Sequence, residues 1–213
     1  MTELAFTCTD VTHDRFAAGP TLQFRVRIDE TTGVRVHTIA LRCQIRIEPQ
    51  RRHHNEREAE QLLELFGERA RWGDTLKPFQ FANTSTVVAG FTGSTEVEFA
   101  VPCTYDLEVV TGRYFHALED GEIPFTLLFS GTVFGKGESG LWVEQVPWHL
   151  EASHRTPVAV WDEMMEHFFA GGGWLRLRRE TIDELTKFKA DRALPTWDDT
   201  LLALLDETTE RQP

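Results

Sequence analysis

Cysteine is scarce in this chain, and the three that occur, Cys8, Cys43 and Cys103, lie far apart. They cannot all pair, and no Cys-x-x-Cys or Cys/His cluster is present, which excludes a disulfide framework and a zinc ribbon. Buried free thiols in a reducing compartment are the expected state. Long hydrophobic runs are missing as well. The longest uncharged stretch, residues 78–95, is full of Asn, Thr, Ser and Gly and cannot span a bilayer. The first six residues carry neither the basic region nor the apolar centre of a signal peptide, so a soluble, cytoplasmic protein is expected. Positive charge is in short supply too. Lys plus Arg number 22 against 34 Asp plus Glu, a net charge of −12. A field of that sign excludes general binding to nucleic acid or to an anionic membrane.

Signatures of catalysis are absent in the same way. Phe129-Ser130-Gly131-Thr132 lacks the glycine pattern of a nucleophile elbow. The glycines of 135–140 sit between two strand patterns and read as a hairpin loop, not a phosphate-binding turn. Nothing in the spacing of Ser, Cys and His assembles a triad. No catalytic residue, cofactor or metal site is therefore expected, and the chain is read as a non-enzyme.

What is present is enough to fold. The 213 residues are 41% apolar and 26% charged, as for one large domain or a domain with an appendage. Leu22, Phe24, Val26 and Ile28 alternate with polar residues, the period of a half-buried strand. Ile39, Leu41, Cys43, Ile45 and Ile47 alternate with Ala40, Arg42, Gln44, Arg46 and Glu48, the strongest strand signal in the chain. Val34 and Val36 fall on the opposite parity, which predicts a bulge or bend near His37-Thr38. Pro49 ends the run. Asn55 caps a predicted helix near 55–67 that Gly67 stops. Strands are expected again around Val97 to Val101, Tyr105 to Val109 and Leu141 to Val143. The Phe-rich run 123–134 reads as a strand covered on both faces. Beyond Pro147 the pattern turns helical: 158–169, 178–192, and a segment from Trp197 opened by Thr196 and Asp199 as a capping box. The predicted fold is α+β: an antiparallel β-sandwich over 1–147 with an inserted helix, and a helical extension, 148–213, packed on it.

One segment stands out in this acidic chain. Residues 35–57 hold six arginines against Glu48 and Glu56, a net of +4, whereas 96–122 has a net of −6. Arg42, Arg46 and Glu48 share the outward parity of their strand, and Arg51, Arg52 and Arg57 extend the charge toward the inserted helix. These six are the predicted partner-binding residues. The competing reading is a charge ladder, with Arg42 and Arg46 opposite carboxylates of neighbouring strands. His53-His54 cannot aim two imidazoles at one site. Glu163 and His167 lie four apart on one helix face, a pair more often a surface contact than a metal site. Trp148, Trp161, Phe168, Phe169 and Trp174 read as core, with any exposed member a candidate contact.

The stretch 39–52, Ile-Ala-Leu-Arg-Cys-Gln-Ile-Arg-Ile-Glu-Pro-Gln-Arg-Arg, resembles the signature of an uncharacterised bacterial, mainly actinobacterial, domain-of-unknown-function family. The resemblance continues through Leu65-Phe66-Gly67, Arg71-Trp72, Pro102-Cys103-Thr104-Tyr105-Asp106, Leu128 to Phe134, Pro147-Trp148, Pro157 to Trp161 and Leu194-Pro195-Thr196-Trp197, and so covers nearly the whole chain. His149 stands where the resemblance leads one to expect an acid, so no acidic role is carried over to it. The family is associated with nickel–iron hydrogenase gene clusters. The resemblance thus implies an accessory, chaperone-like protein with a hydrogenase subunit as partner. A ligand- or metal-handling module is the alternative, and an enzyme of unknown reaction comes last.

Overall fold

The computed structural model describes residues 2–103, 111–137, 140–171 and 177–210. Two compact units are present, Met1–Gly171 and Gly172–Pro213. The first holds eight strands, β1 (Leu4–His13), β2 (Thr21–Glu30), β3 (Val36–Ile47), β4 (Phe79–Val88), β5 (Ser94–Pro102), β6 (Glu122–Gly137), β7 (Gly140–Gln145) and β8 (Glu151–Pro157). Its helices are α1 (Glu56–Gln61), α2 (Leu63–Phe66), α3 (Trp72–Thr75), α4 (Arg113–His116) and α5 (Val158–Phe168); α6 (Arg179–Asp191) and α7 (Trp197–Glu210) make up the second unit.

All strand pairs are antiparallel and form two sheets. Sheet A has the order β1-β2-β5, and sheet B the order β4-β3-β6-β7 with β8 also on β6. The fold is mixed α+β, as expected. The alternation in β2 and β3 turns Phe24, Val26, Ile28, Ile39, Leu41, Ile45 and Ile47 inward, each 1% exposed or less. Burial of one such side chain contributes about 1.5–3 kcal/mol. Phenylalanines join the sheets: Phe6 stacks on Phe129 at 4.2 Å, and Phe24 meets Phe125 edge-on at 5.2 Å. The pairing of β3 with β6 shifts between Val36 and Thr38, at the bulge predicted there.

The inserted helix is two short helices. Asn55 accepts from the Glu58 amide at 2.8 Å while Glu58 accepts from the Asn55 amide at 3.1 Å, a complete capping box. The chain breaks at Leu62 and stops at Gly67, whose φ of +71° favours glycine. Leu62 and Phe66 are buried. Tyr114 packs edge-on against Phe66 and Phe79, so α2 and α4 join the start of β4 in one aromatic cluster.

Three expectations change. The run 123–134 is covered on both faces only at its start: Pro124 and Thr126 are buried along with Ile123, Phe125, Leu127, Phe129 and Val133, whereas Ser130 is exposed and Leu128, Thr132 and Phe134 are half-buried. Secondly, helix does not come directly after Pro147. β8 comes first and pairs with β6 from Glu122↔Pro157 to Leu128↔Glu151, and both β8 and α5 belong to the first unit. Thirdly, β1, β4 and β8 complete sheets whose other strands the alternation predicts. The expected strand at Tyr105 to Val109, and Trp174, lie outside the described residues. In the second unit Thr196 and Asp199 cap α7 as predicted, with the Asp199 amide donating to Thr196 Oγ1 at 3.0 Å.

Candidate partner-binding face

The outer face of sheet B is built by register. Arg42 on β3 stands between Ser85 of β4 and Ser130 of β6, and Arg46 between Gln80 and Thr126. Neither arginine has a carboxylate opposite it, and among the described residues neither forms an ion pair. Gln44, between them, bonds Gln80 at 3.0 Å. Around Arg42 the face dips into a shallow cleft of about 470 Å³ whose lining includes Gln44, Asn83, Thr84, Ser85 and Ser130. Two cations thus lie over hydroxyl and amide groups in a chain of net charge −12. Arginine suits such a place, because its planar fork takes carboxylates in pairs and is weakly hydrated.

The charge ladder exists, but on sheet A. Arg25 faces Glu98 at 3.2 Å and Arg27 is registered opposite Glu96. The structure therefore separates a neutralised outer face from one whose arginines form no ion pair among the described residues. Exposed Val87, Val143 and Leu141 lie along one end of sheet B, and Trp148 is 90% exposed in the β7–β8 connection.

Four of the six predicted contact residues leave this face. Glu48 does not share the outward parity of Arg46, because β3 ends at Ile47 and the Pro49–Arg51 3-10 turn comes next. Its carboxylate is buried and accepts from Gln50 at 2.7 Å, with exposed Arg51 Nε at 3.8 Å. Arg52 is drawn inward: Nη2 meets Glu58 at 2.7 Å and donates to the Asp120 carbonyl at 3.1 Å. Arg57 pairs in solvent with Glu119 at 2.9 Å. Arg51 and Arg57 stay exposed yet belong to the sandwich end. The sequence signal for Ser85 and Ser130 was weak, since β4 has Ser and Thr on both parities and only the register brings them to Arg42.

Two other clusters bear on chemistry. At the sandwich end His54 is buried against Trp72 and Tyr114, with Tyr114 Oη 3.4 Å from its Nε2. Burial first, then the Arg52 charge, pushes the His54 pKa down to about 4. Burial also pushes the Cys8 and Cys103 thiols up to about 12 and raises that of Cys43, so none is a thiolate near neutrality. Beside α5, His13, Arg15, Asp162, Glu163, Glu166 and His167 line an open cleft of about 650 Å³. There His167 Nε2 lies 3.1 Å from the Arg15 carbonyl, and burial raises the Asp162 pKa. Among the described residues no three His, Cys, Asp or Glu side chains stand close enough to hold a metal ion. Trp161 is core, 4.5 Å from Phe115. No described helix is long and apolar enough to cross a membrane.

Residues 1–213 match the profile of DUF6084, described as a family of unknown function. No curated protein matches the chain. Among solved structures, a β-glucosidase from Kluyveromyces marxianus is similar at 7% identity and a TM-score of 0.28, over 73% of this chain and 15% of that one. β-Glucosidase 3B from Thermotoga neapolitana, in complex with glycerol, is similar at 15% identity and a TM-score of 0.27, over 72% of this chain and 17% of that one. Likeness this slight says nothing of activity or partners.

Proposed function

The chain belongs to this family of unknown function, and from that premise we propose that it is a non-catalytic accessory protein that binds an acidic surface of another protein through the outer face of sheet B. One observation carries the reading: among the described residues Arg42, beside a hydroxyl- and amide-lined cleft, and Arg46, two residues further along its face, form no ion pair, while the arginines of sheet A are matched by carboxylates. An unpaired guanidinium on an open sheet gives a partner both steering and a bidentate contact.

The sequence resemblance supports a setting in bacterial nickel–iron hydrogenase assembly, with a hydrogenase subunit or its precursor as partner. Free thiols at Cys8, Cys43 and Cys103 are compatible with the cytoplasm of such a cell. The deciding experiment is a tagged pull-down from the native host with the wild type and Arg46→Glu side by side. A hydrogenase subunit retained by the first and lost from the second is the expected result. Recovery of the same proteins by both variants would reject the face.

The alternative is a ligand- or metal-handling module. The cleft of about 470 Å³ beside Arg42 favours a small carboxylate or phosphate over a metal. Elemental analysis of untagged protein and thermal shift with such anions separate this from protein binding.

A further inference from the structure

Among the described residues every sheet edge is guarded except one. An unpaired edge is a template for another strand, and charge, proline, bulges or brevity blunt it. β1 carries Asp10 and a bulge between Cys8 and Asp10; β5 carries Glu96, Glu98 and Pro102. β7 has six residues with Glu144 among them, and β8 carries Glu151, Arg155 and Pro157. β4 is ten residues long with no charge and no proline. It ends sheet B and, among the described residues, pairs with no strand but β3. Its one irregularity is at Phe81, and 82–88 pairs in unbroken register.

The unguarded edge lies one strand from Arg42 and Arg46. A strand added to β4 would run two strand spacings, about 10 Å, from β3. Its residue opposite Ser85 would share a row with Arg42, on the same face. Ser85 is small and exposed, so the Arg42 side chain can lean across it toward that neighbour. We propose that β4 accepts an extended acidic segment of a partner protein as an added strand, with a carboxylate opposite Ser85 held by Arg42. Main-chain hydrogen bonds would supply affinity and the arginine row would select acid, the division of labour in strand addition. The inference rests on the protein-binding role proposed above and names its chemistry.

Two synthetic ten-residue peptides of alternating Thr and Val test it, one with two glutamates four positions apart on one face and one with lysines there. With isotope-labelled full-length protein, the glutamate peptide should move the amide signals of 82–88 and bind about tenfold more tightly than the lysine peptide. Arg42→Glu should reverse that preference. Thr84→Pro, Ser85→Pro and Thr86→Pro separate edge from ladder, because successive β4 amides point alternately to β3 and to the open edge. At least one should abolish peptide binding with its melting temperature unchanged.

Shifts confined to other residues, equal binding of both peptides, or a preference that survives Arg42→Glu would each overturn the proposal. So would dimerisation of the free protein abolished by the edge proline, since a second copy would then be the occupant. A native partner that is lost with Arg46→Glu but indifferent to the edge proline would keep the face and discard the added strand. An edge that binds the glutamate peptide while Arg46→Glu leaves the native partner bound would do the reverse.

Discussion

Arg52 and Glu58 form a 2.7 Å ion pair with side chains only 6% and 1% exposed. The carboxylate also accepts from the amides of Asn55 and Glu119, at 3.1 and 3.0 Å. One buried acid therefore ties the turn after β3, the cap of α1 and the segment before β6. The pair is internal architecture, and its place is the sandwich end rather than a binding surface.

Glu58→Gln should consequently unfold the protein more easily without touching the outer face of sheet B. Removing one partner of a buried pair leaves the other charge uncompensated, at a cost of about 3–5 kcal/mol. Arg57→Ala breaks only the exposed pair with Glu119 and should cost less than about 1 kcal/mol. Urea denaturation of the two variants at neutral pH checks the contrast. Similar losses would mean that Glu58 is solvated in solution.

His54 sets a pH dependence. Its pKa is pushed down to about 4 by burial and then by Arg52, from a reference value of 6.5. Below pH 6.5 the unfolded chain takes up a proton that the folded chain refuses, so the unfolded state gains. Stability contributed by the neutral imidazole is full above pH 6.5, falls as the pH drops toward 4, and changes no further below that. His54→Phe fills the site beside Trp72 and Tyr114 without a titratable group. Denaturation midpoints measured from pH 7.5 to 4.5 should slope less in the variant than in the wild type; parallel curves would assign the slope to other groups.

Gly131 of β6 leaves no room for a side chain against β3. Its φ is +152°, and a Cβ there would stand 2.2 Å from the Ala40 carbonyl oxygen. That neighbour is backbone and cannot swing away. Gly131→Ala should cost about 2–4 kcal/mol through strain and a displaced ladder. A melting temperature within a degree or two of the wild type would show that the strands separate there at little cost.

β2 and β3 were legible because apolar and charged residues alternate cleanly along them. β4 was hidden because Thr and Ser occupy both parities, and β8 because Ala152, His154 and Thr156 make a faint inner face. The same limit displaced Glu48 and Arg52. Parity holds only while the chain stays extended, and the turn at Pro49 re-aims the side chains beyond Ile47. Composition could mark a basic segment; it took register to show which arginines had carboxylates opposite. Arg42 and Arg46 keep the outward parity predicted for them, and the companions predicted with them lie at the sandwich end.

Arg46→Glu is therefore the sharpest test of the binding face. Arg46 is registered against Gln80 and Thr126 and forms no ion pair among the described residues, so reversing its charge removes no described partner. The stability change should stay within about 0.5 kcal/mol. Association with an acidic partner should slow, and added salt should slow the wild type toward the variant's rate, because screening removes the attraction that the substitution abolishes. Arg25→Glu is the matched control on sheet A. It opposes Glu98 at 3.2 Å and Asp10 at 3.7 Å, so it should cost about 1 kcal/mol of stability and leave association alone. Melting temperature and association rate measured on both variants should thus move in opposite patterns. If Arg46→Glu leaves the rate and its salt dependence unchanged, the arginine row is not the contact, and the exposed Trp148 becomes the residue to substitute next.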